Sequence, residues 1–131
     1  MARQSANDPK PGTNAYALPV VKGTLDLLTL KALWTPMHGF EVTAWIEQQS
    51  EGRLQFDDSA IYQALYRLEK KGLLSAEWGV TANNRRARYY RLTPKGREHL
   101  TTETERLLRY SETVAAILRS APTMQVEGAR S

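Results

Sequence analysis

A run of eighteen residues, Val80 to Arg97, contains six basic side chains and no acidic one. Six like charges cannot be buried together, so these basic side chains are expected at the surface. The residues before the run carry 8 basic and 9 acidic groups and those after it carry 4 and 5, so the run supplies the whole positive excess of the formal net charge, +4. Charge focused in this way is typical of a protein that binds a polyanion; the alternative is an ordinary solvated face.

The basic run overlaps a predicted β-hairpin. Residues 73–78 and 87–92 are rich in strand-forming side chains, and residues 79–86 between them, which include glycine and asparagine, suit a long hairpin loop. Asn83 and Asn84 tolerate the left-handed backbone conformation that a hairpin tip requires. The basic charge is therefore expected on an exposed hairpin.

Three helices are predicted before the hairpin and one after it. Capping residues, glycines and prolines delimit helices at 24–35, about 40–49, about 59–71 and 94 to about 120. Residues 37–39 are predicted to form a turn and residues 54–56 a short extended piece. The predicted fold class is mainly α with a small β-hairpin, an α+β arrangement.

The third predicted helix has two chemically different faces. At 100° per residue, Ile61, Ala64, Leu65 and Leu68 form one apolar face, which is expected to pack in the core. The opposite face is polar, nearly free of acid and able to donate and accept hydrogen bonds. With its flanks it comprises Ser59, Tyr62, Gln63, Tyr66, Arg67 and Lys70.

The last predicted helix is too long for so small a domain to cover. A helix of about 27 residues extends for about 40 Å. Its apolar side chains recur near heptad spacing, which predicts packing against the same helix of a second copy. The predicted dimerisation residues are Leu100, Leu107, Leu108, Val114, Ile117 and Leu118.

Three helices, a basic hairpin and one further helix, in that order, are typical of a winged helix-turn-helix domain. In such a domain the third helix enters the DNA major groove, and the hairpin, or wing, contacts the flanking backbone or the minor groove. Arginine pairs with phosphates and is favoured in a narrow minor groove. DNA contacts are therefore predicted for the polar face of the third helix, the alternative being ordinary helix surface, and for the wing residues Asn83, Asn84, Arg85, Arg86 and Arg88.

The predicted organisation has four parts. A flexible arm at 1–21 precedes a winged helix-turn-helix domain at 22–93, a dimerisation helix at 94–121 and a disordered tail at 122–131. The arm contains three prolines and several small polar residues, which disfavour regular structure.

Several classes of function lack the residues that they need. The chain has no cysteine, which excludes disulfides, thiol nucleophiles and cysteine-ligated metals. His38 and His99 lie far apart without a ligand pattern, and no phosphate-binding loop or nucleophile motif occurs. We therefore predict that the chain is not an enzyme and holds no metal or cofactor. No apolar run or secretory signal is present, so a cytoplasmic location without a membrane partner is expected. Trp45 and Trp78 are expected in the core.

Four segments of the chain resemble the PadR family of bacterial transcriptional regulators. They are GTLDLLTLKAL (23–33), MHGFEV (37–42), AIYQALYRLEKKGLLSAEWG (60–79) and NNRRARYYRLTPKGREHL (83–100). The resemblance extends over residues 22 to about 119. The chain resembles the short-tailed branch of the family, which has a single C-terminal helix, and this similarity implies a homodimer held largely by the C-terminal and first helices. It also implies repression of a nearby gene, relieved in many members by a small molecule or a partner.

Two features depart from the family pattern. Gln63 stands where members often have proline, and glutamine there keeps the helix regular and adds a potential reader of adenine. Some multidrug-sensing relatives hold flat aromatic ligands between tryptophans on their terminal helices. The terminal helix of this chain has no tryptophan, so a ligand held in that manner is not expected, and the sequence identifies no other small-molecule effector.

The sequence therefore predicts a dimeric repressor that binds double-stranded DNA at an inverted-repeat operator. The alternative is a winged-helix module for protein–protein assembly without specific DNA binding. The acid-free run distinguishes the two, since an assembly module has no need of it.

Overall fold

The computed structural model describes Val21 and residues 23–122. The predicted arm and tail lie outside the described residues, except for one residue of each. The elements are α1 (Thr24–Ala32), β1 (Met37–His38), α2 (Gly39–Gln49), α3 (Asp58–Lys70), β2 (Leu74–Val80), β3 (Arg86–Leu92) and α4 (Pro94–Arg119). The predicted fold class and the long final helix are confirmed.

The core lies where α1, α2 and α3 meet the base of the hairpin. The face of α3 that was predicted to be apolar is buried, with Ile61, Ala64, Leu65 and Leu68 at most 2% exposed. Burying one such large aliphatic side chain contributes about 1.5–3 kcal/mol. Leu30 of α1 and Val42 of α2 belong to the same cluster. The burial fixes the rotation of α3, so that its polar face points away from the domain.

The sheet has a third strand that local sequence patterns did not indicate. Residues 37 and 38, predicted as part of a turn, form β1, which pairs antiparallel with Tyr90 and Tyr89 of β3. The strand order is β1-β3-β2. Residues 54–56, predicted as a short extended piece, lead into α3 without pairing to a strand.

The hairpin β2–β3, here called the wing, is longer than predicted and closes with a shorter loop. Its strands pair from Leu74–Leu92 to Val80–Arg86. At the tip the amide of Asn84 donates to the carbonyl of Thr81 at 2.9 Å, and Asn84 has a φ of +62°. A turn followed by a left-handed residue is a standard three-residue hairpin connection. The expected left-handed conformation is confirmed at Asn84.

The end of α3, the start of the wing and the start of α4 meet at one backbone junction. Thr93 caps α4 by accepting from the amide of Gly96 at 3.0 Å. Its hydroxyl donates to the carbonyl of Gly72 at 2.7 Å, and its amide donates to the carbonyl of Leu73 at 3.1 Å. Gly96 lies so close to Leu73 that a Cβ there would be 2.0 Å from the Leu73 carbonyl oxygen. The junction therefore fixes α4 directly against the residues that follow α3.

The helix α4 extends beyond the domain. Its 26 residues correspond to a length of about 39 Å. The first turns pack on α1, and Leu100 is buried there with the core residues. The C-terminal turns have no comparable cover from the described part of the chain, so their apolar side chains are exposed.

Candidate nucleic-acid interface

The outward face of α3 carries the side chains that the sequence predicted for it. Each of them is exposed to solvent; they are Ser59, Tyr62, Gln63, Tyr66, Arg67 and Lys70. The Lys70 ammonium lies 5.2 Å from the centre of the Tyr66 ring, which aligns two of these side chains along the helix. The face therefore offers hydroxyl, amide and cationic groups on one rigid helix.

Tyr62 connects α3 to the beginning of α2. Its ring lies so close to Gly39 that a Cβ at Gly39 would be 2.5 Å from Tyr62 Cε1. The ring of Phe40 meets it edge-on, with 6.3 Å between the ring centres. Burial raises the pKa of the Tyr62 hydroxyl above its usual value, and the carboxylate of Asp58 acts in the same direction. The hydroxyl therefore stays protonated near neutral pH and available as a hydrogen-bond donor.

The distal half of the wing presents cations around an exposed indole. Asn83, Asn84, Arg85 and Arg86 are all exposed. The Arg86 guanidinium lies 4.6 Å from the centre of the Trp78 ring. The prediction that Trp78 lies in the core is wrong: it is 59% exposed, because β2 projects past the core before reaching this residue. Trp45, by contrast, packs against the core as expected.

Two arginines that the sequence predicted as DNA contacts are paired within the chain. Arg67 of α3 forms an ion pair with Asp26 of α1. Arg88 of β3 forms an ion pair with Glu69 of α3, with 3.0 Å between Nη2 and Oε2. Among the residues that the structure describes, Arg85 and Arg86 have no carboxylate partner, so their charges face solvent unneutralised.

One groove lies between the start of α2, Tyr62 of α3 and the wing. Side chains of α2, α3 and both wing strands line it, among them Phe40, Tyr62, Trp78, Arg85 and Arg86. Phe40, 61% exposed, was missed by sequence reasoning. The available signal was its spacing: two positions before the buried Val42, it lies about 200° around the helix from the core.

A second, apolar surface lies on α4. Leu107 and Val114 are half-buried, whereas Leu108, Ile117 and Leu118 are exposed, Leu118 to 77%. Leu100, grouped with them by the heptad pattern, is only 4% exposed and packs in the core of its own chain. The free apolar surface therefore lies on the C-terminal turns of α4.

Neither a metal centre nor a membrane span is found in the described ranges. Within residues 23–122 no three histidine or acidic side chains come close enough to hold a metal ion. In the same part of the chain no helix is long and apolar enough to cross a membrane.

Comparison with known proteins agrees with this geometry. A model of the transcriptional regulator PadR-like family matches residues 27–102. The chain is 28% identical over 82 residues to an uncharacterized protein of Lysinibacillus sphaericus, a match that covers 62% of this chain and 75% of that protein.

Solved structures show the same fold. A PadR family transcriptional regulator from Eggerthella lenta superposes with a TM-score of 0.67 at 25% identity, covering 76% of this chain and 86% of its own. A Streptococcus mutans protein superposes with a TM-score of 0.70 at 26% identity, covering 82% and 98%. Because the family consists of transcriptional regulators, the prediction that the chain is not an enzyme is confirmed. The chain belongs to the PadR-like family and is a DNA-binding transcriptional regulator.

Proposed function

We propose that the chain is a homodimeric, sequence-specific repressor that binds an inverted-repeat operator. The observation that carries this proposal is the groove between α3 and the wing. Tyr62 lines one side of it, on the helix whose polar face is exposed, and Arg85 and Arg86, which have no carboxylate partner in the described chain, line the other side. Such a pairing suits a duplex whose major groove receives α3 and whose adjacent backbone or minor groove meets the wing.

The two sides of the groove have different tasks. Ser59, Gln63, Tyr66 and Lys70 of α3 face outward from one rigid helix, and side chains of these types read base edges. Arginine and asparagine at the wing tip suit phosphate and sugar contacts, which fix position and supply salt-dependent affinity. Base preference is therefore assigned to α3, and much of the electrostatic affinity to the wing.

The apolar turns of α4 are assigned to the dimer. Leu108, Ile117 and Leu118 are exposed on a helix that projects past its own domain. A second copy of the same helix has the complementary surface, as a two-fold interface requires. In such a dimer the two α3 helices lie about one DNA turn apart, roughly 34 Å. We also place the protein in the cytoplasm, where a bacterial regulator meets its DNA.

The decisive experiment is selection of duplexes from a random DNA library by the purified full chain, followed by binding to the selected sequence at several salt concentrations. The proposal predicts enrichment of an inverted repeat with half-sites about one turn apart. Salt-sensitive binding without enrichment would contradict sequence specificity, and absence of binding would favour the assembly module.

Two substitutions separate the roles of the wing and α3. Arg86→Ala should weaken binding to all duplexes and reduce the salt slope by about 0.9, the contribution of one lost phosphate contact. Gln63→Ala should instead change which bases are preferred within the half-site. Equal losses for both variants on selected and random duplexes would contradict this division.

Matched charges on opposite faces of α4 test the dimer. Leu118→Asp places a carboxylate on the apolar face and should convert the protein to a monomer in light scattering. Ala116→Asp places the same charge about 160° around the helix, since two residues turn it by 200°, and should leave the dimer intact. Identical masses for the two variants would exclude α4 as the interface in this orientation.

A further inference from the structure

Arg88 lies at the centre of a cluster that connects the wing to α3. Its guanidinium pairs with Glu69 at 3.0 Å, and its Cζ lies 6.0 Å from the centre of the Trp78 ring and 5.6 Å from that of Tyr90. Trp78 is the cross-strand partner of Arg88, and its ring also makes a cation–π contact with the Arg86 guanidinium. Contacts therefore run continuously from α3 through Arg88 and Trp78 to Arg86.

This placement leaves Arg88 poorly suited to hold a phosphate. Its Nε is buried and has no hydrogen-bond partner among the described residues, so the base of the guanidinium is closed off from solvent although 39% of the side chain is exposed. The carboxylate of Glu69 neutralises its charge, and a neutralised pair attracts a phosphate weakly. Arg86, by contrast, stands on the exposed indole without a carboxylate partner in the described chain.

Glu69 needs an explanation of its own. A carboxylate beside a DNA-binding groove repels phosphates and by charge alone lowers affinity. Glu69 is the acidic residue of α3 that reaches the wing, and its contact is made near the middle of the hairpin rather than at its base. The ion pair of Glu69 with Arg88 therefore links α3 directly to the middle of the wing.

We propose that Glu69, Arg88 and Trp78 are positioning residues, which hold the wing against α3 so that Arg86 meets the flanking DNA while α3 occupies the major groove. This inference rests on the proposed DNA binding. Arg88 thereby acts through Arg86 and not by its own contact with a phosphate. Tyr90, beside the pair, supports it from within the core.

The test uses a substitution for which the positioning role and the change in charge predict opposite effects on DNA affinity. Glu69→Ala removes a carboxylate, which by charge alone would tighten DNA binding. As a positioning residue its loss should instead weaken binding to the selected operator by roughly 5- to 20-fold, the usual size of coupling within a contact network. Glu77→Ala is the matched control, because Glu77 pairs with Arg91 at 3.1 Å within the hairpin and does not reach α3. It should leave affinity unchanged or slightly higher.

A shortened duplex distinguishes a misplaced wing from a general structural defect of the Glu69→Ala variant. An operator trimmed of the flanks that the wing contacts should bind Glu69→Ala and the unaltered protein equally, whereas the full operator should not. A loss on both duplexes indicates a structural defect and overturns the proposal, as does a Glu69→Ala variant that binds as tightly as Glu77→Ala.

The link to Arg86 has its own measurement. Trp78→Leu should weaken operator binding as Arg86→Ala does, and the two together should lose little more than either alone, because both remove the same contact. Additive losses would overturn the role of Trp78. Failure of the unaltered protein to select any DNA sequence would instead defeat the proposed function, so the two failures are distinguishable.

Discussion

The contact of Gly96 in α4 with the backbone that follows α3 gives a sharp prediction for Gly96→Ala. The added Cβ would lie 2.0 Å from the Leu73 carbonyl oxygen and 3.0 Å from its carbonyl carbon. An ordinary contact of carbon with a carbonyl oxygen is about 3.3 Å or longer. Since the obstacle is backbone and not a flexible side chain, the start of α4 has to move by more than about 1 Å.

The size of the effect follows from what that movement breaks. Both hydrogen bonds from Thr93, to Leu73 and to Gly72, would lengthen, at about 1 kcal/mol each. Residual overpacking adds about 1–3 kcal/mol, and the better helix propensity of alanine returns at most about 1 kcal/mol. We expect the free energy of unfolding to fall by about 2–4 kcal/mol. The melting temperature should fall by roughly 8–16 °C.

Urea unfolding followed by far-ultraviolet circular dichroism measures this change. Thr102→Ala is the control, since it raises helix propensity at an exposed position of the same helix and should stay within about 0.5 kcal/mol of the unaltered chain. A Gly96→Ala variant as stable as the unaltered chain, with the same dependence on urea, would refute the close docking of α4 on Leu73.

Three further substitutions test the core, the wing tip and a buried hydroxyl. Leu65→Ala should cost about 2–5 kcal/mol in urea unfolding because the side chain is fully buried, whereas Leu118→Ala, at an exposed site, should cost far less when measured at low protein concentration. Asn84→Ala should lower the free energy of unfolding by about 1 kcal/mol, because φ is positive there, and Asn84→Gly should not; equal stabilities would contradict the left-handed tip. Burial raises the pKa of Tyr90, partly opposed by Arg88, so the folded chain favours the neutral hydroxyl. The neutral Tyr90 hydroxyl contributes its full share of the unfolding free energy below about pH 10, the tyrosine pKa in the unfolded chain. This contribution is lost as the pH rises through the higher pKa of the folded state. Tyr90→Phe should therefore make the alkaline fall in unfolding free energy shallower, and an unchanged slope from pH 9 to 11 would contradict this.

The helices were predictable because their signals are local. The final helix was expected at 94 to about 120 and spans Pro94–Arg119, delimited by a threonine cap and a following proline. The first helix ends at Ala32 and not just before Pro36. Proline disfavours helical conformation in the residue before it, which is Thr35, so the helix could not extend to the predicted end.

Features that depend on distant partners were not predictable. The strand β1 has two residues and exists because β3, about fifty positions later, lies beside it. On a helical wheel Arg67 belongs to the outward face of α3, yet its partner Asp26 is 41 positions away. The same holds for Arg88 and Glu69, 19 positions apart. Residue type and spacing predicted the exposed polar side chains of α3 and of the wing tip, but not which of their charges are already neutralised.

The junction of Thr93 and Gly96 with Gly72 and Leu73 also has a mechanical consequence. It leaves no hinge between α4 and the end of α3, since a backbone hydrogen bond from Thr93 to Leu73 and a side-chain hydrogen bond from Thr93 to Gly72 hold them together. A tilt of α4 therefore turns α3 and the wing as one rigid body, and the length of α4 acts as a lever. In the proposed dimer, the spacing of the two DNA-reading units would be set by the crossing angle of two helices, and could be changed without rearranging a single contact inside either domain.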